Sequence, residues 1–204
     1  MILPAAILAL AAQAAGEEPA EPEPYPARAV LAAFATACSG IEDVEVARAS
    51  ARAAGWKEFE PDAASAIGRI VSLGAGMMAQ AAPAVETIDG GVWRRDVAGR
   101  ELFLVISGVR DPQVSSHGCR LYDLDAPAPI DAEDLRAWAA RDPESAALGI
   151  PGGVKYVWNP GLKPGHMEME ASFVPQGAAL PEPLAGIPLS GLVLTASAVE
   201  FSDL

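Results

Sequence analysis

A histidine lies beside two carboxylates and two thioethers in the stretch His166-Met167-Glu168-Met169-Glu170. If this stretch is a β-strand, its side chains alternate, so that His166, Glu168 and Glu170 share one face and the methionines share the other. An imidazole with two carboxylates could bind Zn or Mn, and two thioethers could bind Cu(I). Residues two apart on a strand are roughly 7 Å apart, so one flat strand needs ligands from its neighbours to complete a metal site. We therefore predict a half-buried strand with its methionines inward, and keep metal binding through His166, Met167 and Met169 as an alternative.

The second histidine lies between serines and a cysteine, in Ser115-Ser116-His117-Gly118-Cys119. Serine, imidazole and thiol are the groups of nucleophilic catalysis. Adjacent residues on an extended chain point to opposite sides, however, and the sequence contains neither a G-x-S-x-G nor an S-x-x-K motif. We predict a polar loop that leads into a strand. An enzyme that uses His117 or His166 is the alternative, and it requires Asp, Glu or Ser within hydrogen-bond reach of that histidine in a cleft.

A formal dinucleotide-binding motif, G-x-G-x-x-A, occurs at residues 74–79. Such a turn needs a strand before it and a full helix after it. Here Pro83 follows four residues later, and the apolar residues before and within the motif fit one helix that begins near Asp62. The sequence therefore predicts no cofactor.

The spacing of the apolar residues changes from a helical to a strand-like period halfway along the chain. This change predicts an α+β domain. N-terminal helices and one later helix are expected to pack on one face of an antiparallel sheet of about six strands. The predicted helices cover residues 27–40, 43–54, 62–82 and 131–141. The predicted strands cover residues 92–97, 101–109, 119–124, 154–158, 166–174 and 191–199.

The N-terminal residues are typical of an exported protein. An uncharged apolar run over residues 2–12 ends in Ala12-Gln13-Ala14, which predicts a signal peptide over residues 1–14. Residues 15–26 are rich in Pro and Glu and predict a solvated linker. A single domain is expected over residues 27–204.

Charge and composition exclude some classes of partner. The 27 acidic and 14 basic residues give a formal net charge of -13, which disfavours nucleic acid and anionic membrane surfaces. After the signal peptide, Gly, Pro and charged residues interrupt the apolar stretches, so no membrane span is predicted.

The two cysteines, Cys38 and Cys119, are expected to form a disulfide in an oxidising compartment. Cys38 falls on the apolar face of the first helix, and Cys119 begins a predicted strand. Two buried free thiols are the alternative, because sequence alone does not show that the two Cα atoms approach.

Over residues 30–125 the chain resembles a loose set of small secreted proteins of Gram-negative bacteria that have no assigned function. The similarity consists of the helical Cys38, the Ala-rich helix that ends in Gly55-Trp56, and the second cysteine in a strand. This resemblance implies export and is compatible with a disulfide. It implies no activity and no catalytic residue.

Taken together, these patterns favour a periplasmic or secreted binding or accessory protein without catalysis. Its partner would be a protein or a small molecule whose identity the sequence does not specify. No catalytic, cofactor-binding or metal-binding residue is assigned, so Cys38 and Cys119 are the site residues predicted directly.

Overall fold

The computed structural model describes residues 24–81, 85–146, 148–182 and 184–201. The predicted signal peptide and most of the predicted linker lie outside these residues. The described part of the chain forms an α+β fold, as predicted. Its helices are α1 (Ala27–Ala37), α2 (Val44–Ala53), α3 (Ala66–Ala81) and α4 (Ala132–Ala139). Its strands are β1 (Lys57–Glu58), β2 (Glu86–Val97), β3 (Arg100–Arg110), β4 (Val114–Asp123), β5 (Glu144–Ala146), β6 (Val154–Trp158), β7 (His166–Val174) and β8 (Gly191–Phe201).

All described strands belong to one antiparallel sheet with the order β1-β2-β3-β4-β8-β7-β6-β5. The predicted strands correspond to the longer ones, and the sheet adds β1 and β5 as short strands at its two edges. Strands β2 to β4 form one meander, and β5 to β8 form another. Because β8 lies between β4 and β7, it joins the two meanders into a continuous sheet.

The inner face of the sheet is the side that α1, α2 and α4 cover. Alternate residues of the central strands, such as Leu104, Leu121 and Leu194, are fully buried on this face. They pack in one core cluster with Leu31 of α1 and Leu135 of α4. Because burial of apolar area is the main favourable contribution to folding, this cluster supplies most of the fold's stability.

The outer face is the opposite side of the same strands. Val92 and Tyr122 pack there with Ile67 of α3 in a second, smaller cluster of buried residues. Helix α3 thus lies on the other side of the sheet from α1, α2 and α4, and the expectation that every helix covers one face is wrong. The dinucleotide-like motif at residues 74–79 lies inside this helix, as its apolar spacing predicts.

Local signals set the ends of α2. The Asp43 carboxylate accepts hydrogen bonds from the backbone N–H groups of Glu45 and Val46, which caps the first turn. At the other end, Gly55 has a positive φ of 83° and Trp56 donates its backbone N–H to the carbonyl of Ala51. This is the glycine-terminated helix end that the sequence predicts, with Trp56 folded back into the core.

A buried carboxylate fixes the chain before α1. Asp123, at the end of β4, is almost fully buried and accepts two hydrogen bonds from the Arg100 guanidinium, at 2.9 and 2.7 Å. The Tyr25 hydroxyl donates to the same carboxylate at 2.9 Å. Burial, together with the negative charge of Asp123, raises the pKa of Tyr25 far above its usual range. Tyr25 therefore stays a neutral donor, and the last residues of the predicted linker lie against the sheet.

Candidate functional site

A disulfide joins Cys38, at the end of α1, to Cys119 in β4, as predicted, with 5.7 Å between the two Cα atoms. Both cysteines are buried. Cys119 is therefore not available as a thiol nucleophile beside His117. Strand β4 begins at Val114, so the expectation of a polar loop before Cys119 is wrong: the whole serine and histidine stretch is part of the strand.

The two histidines lie in one row across the inner face. His117 of β4 and His166 of β7 are both paired with Ala198 of β8, one from each side. Both residues are buried. Ala198 offers only a methyl group, so the two imidazoles lie on either side of a small side chain at one end of the sheet.

A β-bulge at Met167 changes the predicted distribution of side chains on β7. His166 pairs with Ala198, whereas Glu168 pairs with Ser197, so one extra residue lies between the paired positions. His166 therefore lies on the inner face with Met169, and not with Glu168 and Glu170, as strict alternation predicts. This correction matters because it removes both carboxylates from the neighbourhood of the imidazole.

The outer-face acids form a separate charged group. Glu170 makes an ion pair with Lys155 of β6. Burial, followed by the charge of Glu170 and a hydrogen bond with it, raises the pKa of Glu168, while Lys155 acts in the opposite direction. These groups lie across the sheet from His166 and do not contribute to its environment.

The metal-binding alternative finds little support in the geometry. Met169 is buried on the inner face, whereas Met167 is half exposed at the bulge. Within residues 24–81, 85–146, 148–182 and 184–201, no three His, Cys, Asp or Glu side chains are arranged to hold a metal ion.

His166 is enclosed by backbone from the β6–β7 loop, residues 159–165. The N–H of Gly161 is 3.1 Å from the carbonyl oxygens of His166 and of Met167. A Cβ atom at Gly161 would lie 2.5 Å from Cβ of His166, so only glycine permits this approach. The His166 side chain is 5% exposed, and its Nε2 atom has no hydrogen-bond partner among the described residues.

Two charged groups of opposite sign lie near this imidazole. The Glu42 carboxylate, on the connection between α1 and α2, places Oε1 3.7 Å from Nε2 of His166. Lys163, in the β6–β7 loop, donates from Nζ to the carbonyl of Ala35 in the last turn of α1, at 3.3 Å. Burial lowers the pKa of His166, Lys163 acts in the same direction, and Glu42 opposes both. The net effect is a lowered pKa, which favours the neutral imidazole at pH 7.

A crevice of about 40 Å³ opens beside His166, between α1 and the β6–β7 loop. Its walls are mainly apolar, and Lys163 reaches across it to α1. Phe34 and Trp138 stand together at one wall, with ring centroids 6.3 Å apart. The lining residues are Phe34, Ala35, Cys38, Trp138, Leu162, Lys163, His166, Met169 and Ala196.

The sequence singles out His166 but not its surroundings. Glu42 and Trp138 are far from it along the chain, and no local spacing connects them to it. Lys163-Pro164-Gly165-His166 is the one local signal, because a turn places a cation close to the imidazole. Of the four tryptophans, Trp138 lines the crevice, while Trp56, Trp93 and Trp158 are buried in the core.

Comparison of the chain with protein-family models, with curated proteins and with solved structures finds no significant match. Among the described residues, no helix is both long and apolar enough to cross a membrane.

Proposed function

We propose that this protein is an exported domain, periplasmic or secreted, that binds a small and mainly apolar ligand in the crevice between α1 and the β6–β7 loop. The observation that carries this proposal is that His166, whose buried Nε2 atom has no hydrogen-bond partner among the described residues, lines this mainly apolar crevice. A buried polar atom without a partner costs free energy, and a ligand that hydrogen-bonds to it would recover part of that cost.

The size of the crevice limits what can enter. Ligand pockets commonly have volumes of roughly 300–1,000 Å³, whereas this crevice holds about 40 Å³. It therefore accepts a compact group, such as a branched aliphatic end, while the rest of the ligand lies at the rim near Trp138 and Lys163. A hydrogen-bonding group next to the apolar end would face His166.

Binding is favoured over catalysis by the groups near His166. Its charged neighbour Glu42 is 3.7 Å from Nε2, longer than a hydrogen bond. Cys119 is held in the disulfide, and Ser116 lies on the outer face by strand alternation. The described residues thus bring no nucleophile to the histidine.

Export is supported by the disulfide. Disulfides form and persist in oxidising compartments, and the bond between Cys38 and Cys119 is buried in the core.

The test is titration of the labelled protein with isobutyramide and isovaleramide, which combine a branched apolar end with a hydrogen-bonding group. NMR signals of Leu162, His166 and Met169 should shift with saturation. Ala35→Leu, which fills the crevice from α1, should weaken binding by tenfold or more. Ala32→Leu is the matched control, because Ala32 is exposed on the same helix.

Equal binding by the Ala35→Leu variant, or no shift at the crevice, would refute the proposed site. Hydrolysis of these amides by the wild type, lost in His166→Gln, would instead establish the enzyme alternative. Zinc or copper binding that shifts Met167 and His166 together would establish the metal alternative.

A further inference from the structure

We infer that the buried, neutral imidazole of His166 keeps the β6–β7 loop closed over the crevice at neutral pH, and that protonation of His166 opens this loop. This inference concerns the protein without ligand, so its test does not depend on the proposed function.

The closed loop is built around the neutral histidine. Gly161 packs its backbone directly on His166, and the N–H of His166 donates to the carbonyl of Lys163 at 3.1 Å. A Cβ atom at Gly165 would lie 2.9 Å from Oε1 of Glu42, so the glutamate side chain lies across this glycine. Gly161 of the loop thus packs on the Cβ atom and the backbone of His166, and Gly165 lies against the carboxylate that faces the imidazole.

Two polar side-chain contacts also hold the loop. The Arg141 guanidinium donates to the carbonyl of Pro160, and Lys163 reaches the Ala35 carbonyl at the end of α1. Neither contact is buried in the core. Gly161 is buried and Leu162 packs against the inner core, whereas Pro164 and Gly165 are exposed. The part of the loop next to His166 can therefore open at low free-energy cost.

Protonation at Nε2 places a charge where it is poorly compensated. The proton comes from solvent and forms an imidazolium ion that is 5% exposed. Glu42 is the counter-ion available from the α1–α2 connection, but its side chain is 46% exposed and lies 3.7 Å away. Lys163 faces the site from the loop with a charge of the same sign, and His117 lies beyond Ala198 on the other side. Burial of an unpaired charge is costly, so the imidazolium gains free energy when the loop opens to water.

The imidazole is neutral while the loop is closed, because burial and Lys163 both lower the pKa of His166 below its usual value of about 6.5. Neighbouring charges then set the pH of opening. Removing the negative charge of Glu42 should lower that pH further, and removing the positive charge of Lys163 should raise it.

The experiment is an NMR pH titration of the full chain from pH 7.5 to 4.5, following the imidazole of His166 and the backbone amides of Gly161 and Gly165. In the wild type all three should change with one midpoint. Glu42→Gln should move that midpoint down by about half a pH unit, the scale expected for an ion pair near water. Lys163→Met should move it up.

His117→Gln is the matched control, because it removes the other imidazole paired with Ala198 and should leave the loop titration in place. His166→Gln should abolish it. The inference is wrong if the loop amides titrate with a midpoint different from that of His166, or keep their titration in His166→Gln. If His166→Gln does not fold, unchanged midpoints in both Glu42→Gln and Lys163→Met overturn it equally.

Discussion

The two faces of the sheet belong to the same strands, yet they hold their helices in different ways. On the inner face, three helices pack on a continuous buried core, and a disulfide joins α1 to β4. On the outer face, α3 contributes Ile67 to a small buried cluster, while Met77 near its other end is largely exposed. Both faces hold a helix through apolar side chains, whereas an extensive buried core forms only on the inner face among the described residues. Stability should depend on the inner face, and the following variants test that difference.

The largest effect should come from the disulfide. Replacing both Cys38 and Cys119 with Ala releases a loop with a sequence separation of 81 residues. On the chain-entropy model, closing such a loop contributes about 4.5 kcal/mol to the free energy of unfolding. Urea denaturation of the double variant and of the oxidised wild type measures the loss. A difference below about 1 kcal/mol would show that the inner core does not depend on this bond.

The next largest effect should come from the buried carboxylate at the inner end of β4. Arg100→Met leaves Asp123 without its bidentate partner, and breaking such a pair costs about 3 kcal/mol or more. The control is the double variant Arg100→Met with Asp123→Asn, which removes the buried charge and should recover part of the loss. No recovery in the double variant would indicate that the lost free energy came from packing of the arginine side chain.

A matched pair of helical valines compares the two faces directly. Val30→Ala in α1 removes two methyl groups from a fully buried site and should cost about 2 kcal/mol. Val71→Ala in α3 makes the same change at a partly buried site and should cost less than about 1 kcal/mol. Both variants gain the same helix propensity, so the difference between them reports burial. Equal losses in urea denaturation would contradict the contrast between the faces.

Lowering the pH should change the contributions of the two faces to the stability of the fold in opposite directions. The lowered pKa of His166 means that the unfolded chain binds this proton more readily than the folded protein. The neutral imidazole of His166 makes its full contribution to stability above a pH of about 6.5. This contribution is lost as the pH falls from there towards the pKa of His166 in the folded protein. Glu168 has a raised pKa, so its unfavourable contribution diminishes as acid protonates it.

Thermal unfolding between pH 7 and pH 5 should therefore show a smaller acid loss in His166→Gln than in the wild type, by up to about 1 kcal/mol. Glu168→Gln should be slightly more stable than the wild type at pH 7, by less than about 0.5 kcal/mol. An equal acid loss in His166→Gln and the wild type would show that the inner-face imidazole is not the group that titrates.

The smallest effect is expected at Phe201, the most exposed large apolar side chain among the described residues, at 76%. Phe201→Ser should change the free energy of unfolding by less than about 0.5 kcal/mol. Urea denaturation checks this value, and a larger loss would show that the end of β8 is packed more tightly than its exposure indicates.

Local sequence signals predicted the elements well because each depends on a few neighbouring residues. The Asp43 cap and the Gly55-Trp56 helix end are set by nearby side chains and by a positive φ. The long strands follow from apolar runs between turns, and the cysteine pair follows from the expected compartment and from the buried face of α1.

Contacts between distant residues account for what was missed. The spacing of the apolar residues in α3 does not show which side of the sheet this helix covers. The bulge at Met167 depends on how β7 aligns with β8, and it moves His166 away from Glu168. The crevice forms only where α1, α4 and the β6–β7 loop meet. The tertiary fold, and not the local sequence, therefore brings Glu42 and Lys163 close to His166.

The position of β8 has a consequence for the order in which the chain can acquire its structure. Until Gly191–Phe201 has been synthesised, β4 presents an unpaired edge and the two meanders remain separate. Pairings between residues far apart in sequence form slowly, because the entropy of loop closure must be overcome first. The sheet therefore stays open while the preceding residues are being made. A chain that completes its sheet last stays unfolded for longer, which is compatible with the export proposed above.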